Sequence, residues 1–204
     1  MLDLREYPKI LVLPNSTQVC IRPMKSDDQD LLFSFFTSIP KKARLRFKHD
    51  VTRRDVIDDW CRNLDYDRVL PLLTVVKEND TERIVADGTL RATRHGWATH
   101  VARIALVLAP DMRGTGLGKI LLRELCDQAT LRGIQKIQSH VREDNADAIT
   151  LLKKLGFKKE TVFKNHAMDL KGKMHDVIIY YQDVDDVWRN MEDLIIDSDF
   201  IVIP

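Results

Sequence analysis

Apolar positions along this chain follow two spacings, one near 3.6 residues and one of two, and the switches between them mark the elements. Leu31, Leu32, Phe35 and Phe36 recur at helical spacing after Ser26-Asp27-Asp28, which can cap a helix, and Pro40 closes the run. A second helical stretch starts near Thr52-Arg53-Arg54-Asp55 and carries Val56, Ile57 and Trp60. The period then changes. Leu70–Val76 and Arg83–Thr93 read as strands, with Asp80-Thr81 as the turn between them. In Val101–Leu108, Ile104, Leu106 and Leu108 share one face and Ala105 and Val107 the other, until Pro110 stops the strand. Ile120, Leu121, Leu125 and Ala129 form a stripe on a helix spanning Gly116–Leu131, and Gly133 follows it as C-terminal glycines do. Ile134–Val141 reads as a strand and Ala146–Leu155 as a helix. Thr161–Leu170 and Asp176–Tyr181 form a last strand pair around Lys171-Gly172-Lys173.

With Val19–Pro23 as a short first strand, the order is strand, two helices, three strands, helix, strand, helix, two strands. That order predicts an α/β fold of the mixed α+β kind, a central mixed sheet flanked by helices. Residues 1–17 read as an N-terminal arm and 18–182 as the domain. Residues 183–204 read as an acidic amphipathic C-terminal segment, with Val187, Met191, Leu194 and Ile195 at helical spacing.

Composition narrows the function classes. The 204 residues carry 32 Lys plus Arg against 31 Asp plus Glu. That balance argues against nucleic-acid or membrane partners held by bulk charge. No window approaches the ~18 apolar residues of a membrane helix. Met1–Leu13 contains Asp3, Arg5, Glu6 and Lys9 and so lacks the apolar stretch of a signal peptide. Cys20, Cys61 and Cys126 match no zinc or CxxC spacing, and the six histidines show no ligand spacing. The expectation is a cytoplasmic protein with no metal.

One run carries chemistry. Arg113-Gly114-Thr115-Gly116-Leu117-Gly118-Lys119 lies between a strand and an amphipathic helix. Glycines there let the backbone approach a ligand, and the free N–H groups at a helix start form an anion site. Gly118-Lys119-Ile120 lacks the hydroxyl that ends a Walker loop, and the spacing is not the GxGxxG of dinucleotide folds.

The same run resembles the Arg/Gln-x-x-Gly-x-Gly/Ala signature of the GNAT superfamily of N-acyltransferases. Asn145-Ala146-Asp147-Ala148-Ile149 is similar to that family's Asn-x-x-Ala-Ile element, and Leu155-Gly156-Phe157 to its Leu-Gly-Phe. Ile21-Arg22-Pro23 followed by Asp27-Asp28 resembles its first strand and the start of its first helix. The resemblance implies an acetyl-CoA-dependent N-acetyltransferase acting directly on a primary amine, either a small molecule or a protein lysine. It implies that Leu106, Val107 and Leu108 lie along the pantetheine arm, with the Leu108 amide as oxyanion donor. It further implies that Arg113, Gly114, Thr115, Gly116, Leu117, Gly118 and Lys119 hold the pyrophosphate, that Asn145 contacts the arm near the thiol, and that the two flanking strands splay apart.

The chain departs from the family where protons move. The position of the usual tyrosine acid, seven residues after Asn145, is Leu152. The position of a frequent glutamate base, five residues before Asn145, is His140, whose chemistry suits a base at neutral pH. Arg103 stands where other relatives carry a carboxylate. Asp87, Glu143, Tyr180 and Tyr181 are further candidates, as is a structural histidine with proton removal by water. Ile39-Pro40-Lys41-Lys42-Ala43-Arg44-Leu45-Arg46-Phe47 loosely resembles a stretch of the Pat-type protein-lysine acetyltransferases, and reads equally as a basic helix end. Two alternatives stay open: a catalytically weak acyl-CoA-binding regulatory module, and an interaction domain that forms a homodimer through its tail.

Overall fold

The structure, a computed structural model, describes residues 4, 6–78, 81–169, 171–186 and, for the backbone, 201–202. Its frame is one nine-stranded sheet in the order β7-β8-β6-β5-β4-β3-β2-β1-β9. The strands are β1 (Lys9–Val12), β2 (Gln18–Pro23), β3 (Val69–Glu78), β4 (Thr81–Ala92), β5 (Val101–Leu108), β6 (Lys136–Arg142), β7 (Lys158–Met168), β8 (Met174–Asp183) and β9 (Ile201–Val202). The helices are α1 (Gln29–Ser38), the one-turn α2 (Lys41–Arg44), α3 (Arg54–Arg62), α4 (Leu117–Leu131) and α5 (Ala146–Lys154). Every neighbouring pair is antiparallel except β5 with β6. A parallel pair needs a crossover, and α4 supplies it.

The predicted mixed α/β architecture is what forms, and the strand Val101–Leu108 has the predicted bounds. The N-terminal arm contributes more than the sequence suggested. Lys9–Val12 pairs with β2, and Leu13 is buried in the core. Ion pairing fastens this edge, because Lys9 Nζ donates to the buried Glu124 carboxylate of α4 at 2.8 Å. The expected helical positions Val187, Met191, Leu194 and Ile195 lie outside the described residues.

Asp28 also differs from its expected role. It occupies the N-cap position of α1 but makes no side-chain cap. Its carboxylate instead accepts both guanidinium N–H groups of Arg22, each at 2.7 Å, and the Lys25 amide at 2.6 Å. Both ion-pair partners are buried, so the pair locks the end of β2 to the start of α1.

The helices sort by face. Gly88 of β4 sits directly beneath Leu121 of α4, which places α4 on what we call the back of the sheet. On the front, Arg142 of β6 donates to the Leu45 carbonyl just after α2 at 2.8 Å. Phe36 of α1 packs edge-on against Phe47 and against Trp60 of α3, so α1, α2 and α3 share that front layer.

A Cβ at residue 88 would lie 2.8 Å from Leu121 Cγ and 2.9 Å from one of its methyls, and Leu121 is fully buried. Replacing Gly88 by Ala is therefore expected to destabilise the protein by about 1–3 kcal/mol. Thermal melts of Gly88→Ala, Leu121→Ala and the double variant check this: the double variant should lose less than the sum of the two single losses. Two independent, additive losses would refute the contact.

Candidate active site

The parallel pairing of β5 and β6 lasts for three residue pairs, Val101 with Lys136, Ala102 with Ile137 and Arg103 with Gln138. Beyond these the strands part, as the family resemblance implied. Each stays paired on its other side, β5 with β4 up to Leu108 and β6 with β8 up to Arg142. The peptide directions follow from the ends. Ala109 N–H donates to Val85 of β4, and the His100 carbonyl accepts from Lys136 of β6. Peptide groups alternate along a strand, so those of even-numbered β5 residues face β6. Leu106 and Leu108 therefore turn their N–H and C=O groups into the gap, where they have no backbone partner among the described residues.

The gap runs into the glycine loop. Pro110–Met112 forms a single 3-10 turn. Gly114 and Gly116 then take φ of +77° and +87°, a region costly for residues with a side chain. Gly116 is the N-cap of α4. Thr115 Oγ1 donates to the Met112 carbonyl at 2.8 Å, which fixes the turn. The amides of Gly114, Thr115, Gly116 and Gly118 have no backbone partner among the described residues, and they collect at the positive end of a fifteen-residue helix. Gly118 leaves room for a small side chain near Leu108 and Leu151: a Cβ there would stand 3.6 Å from Leu108 Cδ2. Arg113 is exposed and reaches Asp147 of α5 at 3.7 Å across the mouth of the gap. A cavity of about 300 Å³ opens there, lined by Lys42, Ala43, Arg46, Arg113, Ala146 and Asp147 among others. Unpaired strand amides leading to unpaired helix-start amides fit an extended ligand that ends in a pyrophosphate.

Asn145 is the N-cap of α5, and its Oδ1 accepts the Ala148 amide at 3.4 Å. Leu117 is buried, and its amide makes a long contact of 3.4 Å with Thr115 Oγ1. The Lys119 amide already donates to the Gly116 carbonyl at 3.0 Å, which takes it out of the free set. Leu152 is buried in the core on α5, with nothing to offer as an acid. Tyr180 is buried as well. Glu143 is occupied, because its carboxylate and that of Asp169 flank the two ring nitrogens of the buried His175, each at 3.1 Å.

His140 stands on the front face beside the gap, on the same face as Gln138 and Arg142. Its Nε2 is buried without a hydrogen-bond partner. Burial, then the charges of Arg103, Lys48 and His166, push its pKa down to about 4. The imidazole is therefore neutral at pH 7 and a weak proton acceptor. Asp87 is the opposite case. It lies on β4 across from Val107, one residue away from the gap-facing Leu106 and Leu108, with only part of its surface exposed. Loss of water around the carboxylate pushes its pKa up to about 7, against a small opposing contribution from the Thr89 hydroxyl. A proton acceptor poised near neutrality beside the gap is the property that His140 was expected to have. The sequence named Asp87 only as one candidate among several; the register that sets it against Val107 is visible in the structure alone.

The profile of the acetyltransferase (GNAT) family matches residues 35–157. This chain belongs to that family. It is 34% identical over 74 residues to the ribosomal protein bS18-alanine N-acetyltransferases of Salmonella typhimurium and Escherichia coli, a match covering 36% of this chain and 50% of each relative. The chain thus spans about half the length of the curated relatives it matches. Its fold is shared with Mycobacterium smegmatis RimJ in complex with CoA-disulfide, at TM-score 0.73 and 18% identity over 92% of this chain and 93% of the other. The GNAT domain of S. lividans PAT superposes at TM-score 0.71 and 16% identity, over 87% and 97% of the two chains. Among the described residues, no helix is long and apolar enough to cross a membrane.

The Asp87 carboxyl yields a stability prediction. Its folded-state pKa of about 7 exceeds the ordinary carboxylate range that it has when unfolded. Both states hold the proton below about pH 4, so no penalty exists there. The penalty grows between pH 4 and 7, as only the unfolded state ionises freely, and levels off above pH 7. Asp87→Asn removes it. Melting temperatures should therefore match near pH 4, and the variant should lead by about 1–4 kcal/mol of stability at pH 8. A lead independent of pH would show that Asp87 is not held this way.

Proposed function

We propose that this protein is an acetyl-CoA-dependent N-acetyltransferase that passes acetyl directly to a primary amine. The observation that carries the reading is the parted β5–β6 pair, whose inward-facing peptide groups at Leu106 and Leu108 lead to the free amides of the α4 start. The catalytic domain is centred on residues 18–182, and the segments on either side extend its sheet with β1 and β9.

The amides of Gly114, Thr115, Gly116 and Gly118, backed by the α4 dipole, bind the pyrophosphate. Arg113 releases Asp147 and adds a positive charge at the mouth. Val107 and the peptide groups of Leu106 and Leu108 line the pantetheine arm, and Asn145 borders it from the α5 side. Bound acetyl-CoA supplies the activated acetyl carbon. An amide on β5, Leu108 with Leu106 beside it, donates to the carbonyl oxygen as negative charge develops there. Asp87 accepts the proton that the acceptor ammonium must lose before its nitrogen can bond to carbon. His140 is too acidic as imidazolium to match it, and shapes the gap instead. Leu152 provides no acid, so the second proton that the nitrogen sheds after attack passes to solvent, and solvent protonates the departing thiolate.

A protein amine is the acceptor class favoured by the relatives, beside a small-molecule amine. This follows the bS18-alanine N-acetyltransferases that the chain resembles over half their length. A terminal α-amine and a lysine ε-amine both fit this chemistry.

Calorimetry with acetyl-CoA and thiol release with amine peptides test the reading together. Tight acetyl-CoA binding with transfer is expected. Binding without transfer to any acceptor would favour the regulatory alternative, and absence of binding would remove both. For Asp87, kcat/KM corrected for acceptor ionisation should fall on the acid side of about pH 7 in the parent protein. Asp87→Asn should lower it by about 10²–10⁴ and abolish that limb. His140→Gln should keep the limb, and loss of the limb there would return the base role to His140.

A further inference from the structure

The antiparallel register of β4 and β5 sets Arg91 directly opposite Arg103. Cross-strand partners share a face, and this one is the front, where Asp87 also lies. Two like charges placed directly opposite are destabilising unless something lies between them. Here nothing does: among the described residues neither arginine has an ion pair or a side-chain hydrogen bond, and both are exposed. Lys48, from the segment between α2 and α3, adds a further positive charge beside them, and the imidazoles of His49, from the same segment, and His166, from β7, lie close by. The charges of Lys48 and Arg91 act on His49, and those of Arg103, Lys48 and His166 act on His140. Arg103 in turn is held below its ordinary value by partial burial and by Arg91.

This cluster is separate from the pyrophosphate amides. Arg103 lies ten residues before Arg113, near the closed end of the gap, and it projects to the face opposite α4. From Asp87 to Arg91 is four residues of strand, roughly 13 Å. Arginine side chains reach back over part of that length. An anion held by the pair would therefore sit within a few residues' span of an amine at Asp87. Paired guanidinium forks suit an anion with two or more acceptor oxygens.

We infer that the acceptor is an amine that carries a carboxylate or phosphate group close by, and that Arg91 and Arg103 bind that group. The inference rests on the acetyl-transfer reading for its role, but binding alone can test it. A polycationic acceptor, such as a lysine-rich tail, would be repelled from this face.

The test uses the full chain and three peptides with free N-termini and amidated C-termini, Ala-Glu-Glu-Ala, Ala-Gln-Gln-Ala and Ala-Lys-Lys-Ala, together with ethanolamine and phosphoethanolamine. Calorimetry without acetyl-CoA measures binding, and thiol release with acetyl-CoA measures kcat/KM. Preference for the Glu peptide over the Gln peptide by tenfold or more, weakening as salt rises, is expected. A preference for phosphoethanolamine over ethanolamine would identify a small phosphorylated amine as the source of the anion; a preference confined to peptides would identify an acidic polypeptide. Arg91→Gln and Arg103→Gln should each reduce the preference towards one, and Arg103→Glu should turn it towards the Lys peptide. Equal handling of Glu and Gln peptides by the parent protein would overturn the inference. So would variants that weaken acetyl-CoA binding while keeping the peptide preference, because the pair would then serve the nucleotide. If the binding preference holds and no acceptor is acetylated, the anion site stands and the acetyl-transfer reading falls.

Discussion

A sheet of nine strands normally satisfies its interior peptide groups strand by strand, and in this protein that pairing stops in the middle. After Arg103 and Gln138, β5 and β6 each keep one neighbour and lose the other. An unpaired peptide group away from water costs about 1–3 kcal/mol, so interior strand edges are not left open without a use. The rest of the molecule is arranged around this opening. α4 starts at its mouth, α5 borders it, and the sequence from α2 to α3 covers its front. The open edge is also what makes the site insensitive to side-chain identity. Leu106, Val107 and Leu108 act through backbone and packing, which is why an apolar run can form the centre of a catalytic groove.

The two faces of the sheet divide the work. On the back, Gly88 under Leu121 lets α4 lie close to β4, which aims the helix start at the gap. On the front, burial and charge set the proton chemistry. Burial, reinforced by Arg103 and Lys48, holds His140 neutral, and loss of water raises the Asp87 carboxyl on the strand next to β5. A cationic front also disfavours an ammonium ion near it, so the field that weakens His140 as a base helps an acceptor amine to shed its proton.

Local patterns in the sequence carried the local structure. The strand Val101–Leu108, the glycine loop and the α4 stripe are set by period, proline and glycine, which act within a few residues. Cross-strand facts were less legible. Arg103 was visible as a departure from the family, but its partner Arg91 lies across a loop, and only the register puts them side by side. Asp87 was one carboxylate among several until desolvation distinguished it. His140 illustrates the reverse. Its residue type suited a base, and its surroundings, burial first and then the positive charge of Arg103 and Lys48, remove that suitability. Asp28 looked like a helix cap because Ser-Asp-Asp often is one; the buried Arg22 guanidinium outcompetes a backbone amide for the carboxylate.

Leu152 shows why the loss of a family residue need not end the chemistry. A proton donor speeds departure of a thiolate less than a base speeds attack by an amine. The amine begins as a cation and cannot react until its proton has gone, whereas a thiolate is a tolerable leaving group by itself. With a carboxyl near neutrality at Asp87, the step that most needs help has it. In exchange, burying a leucine on α5 adds apolar contact next to the groove, where a tyrosine hydroxyl would require a hydrogen-bond partner. On the proposed reading, the sheet edge, the helix start and one desolvated carboxylate carry the reaction, and solvent does at Leu152 what a tyrosine hydroxyl would do.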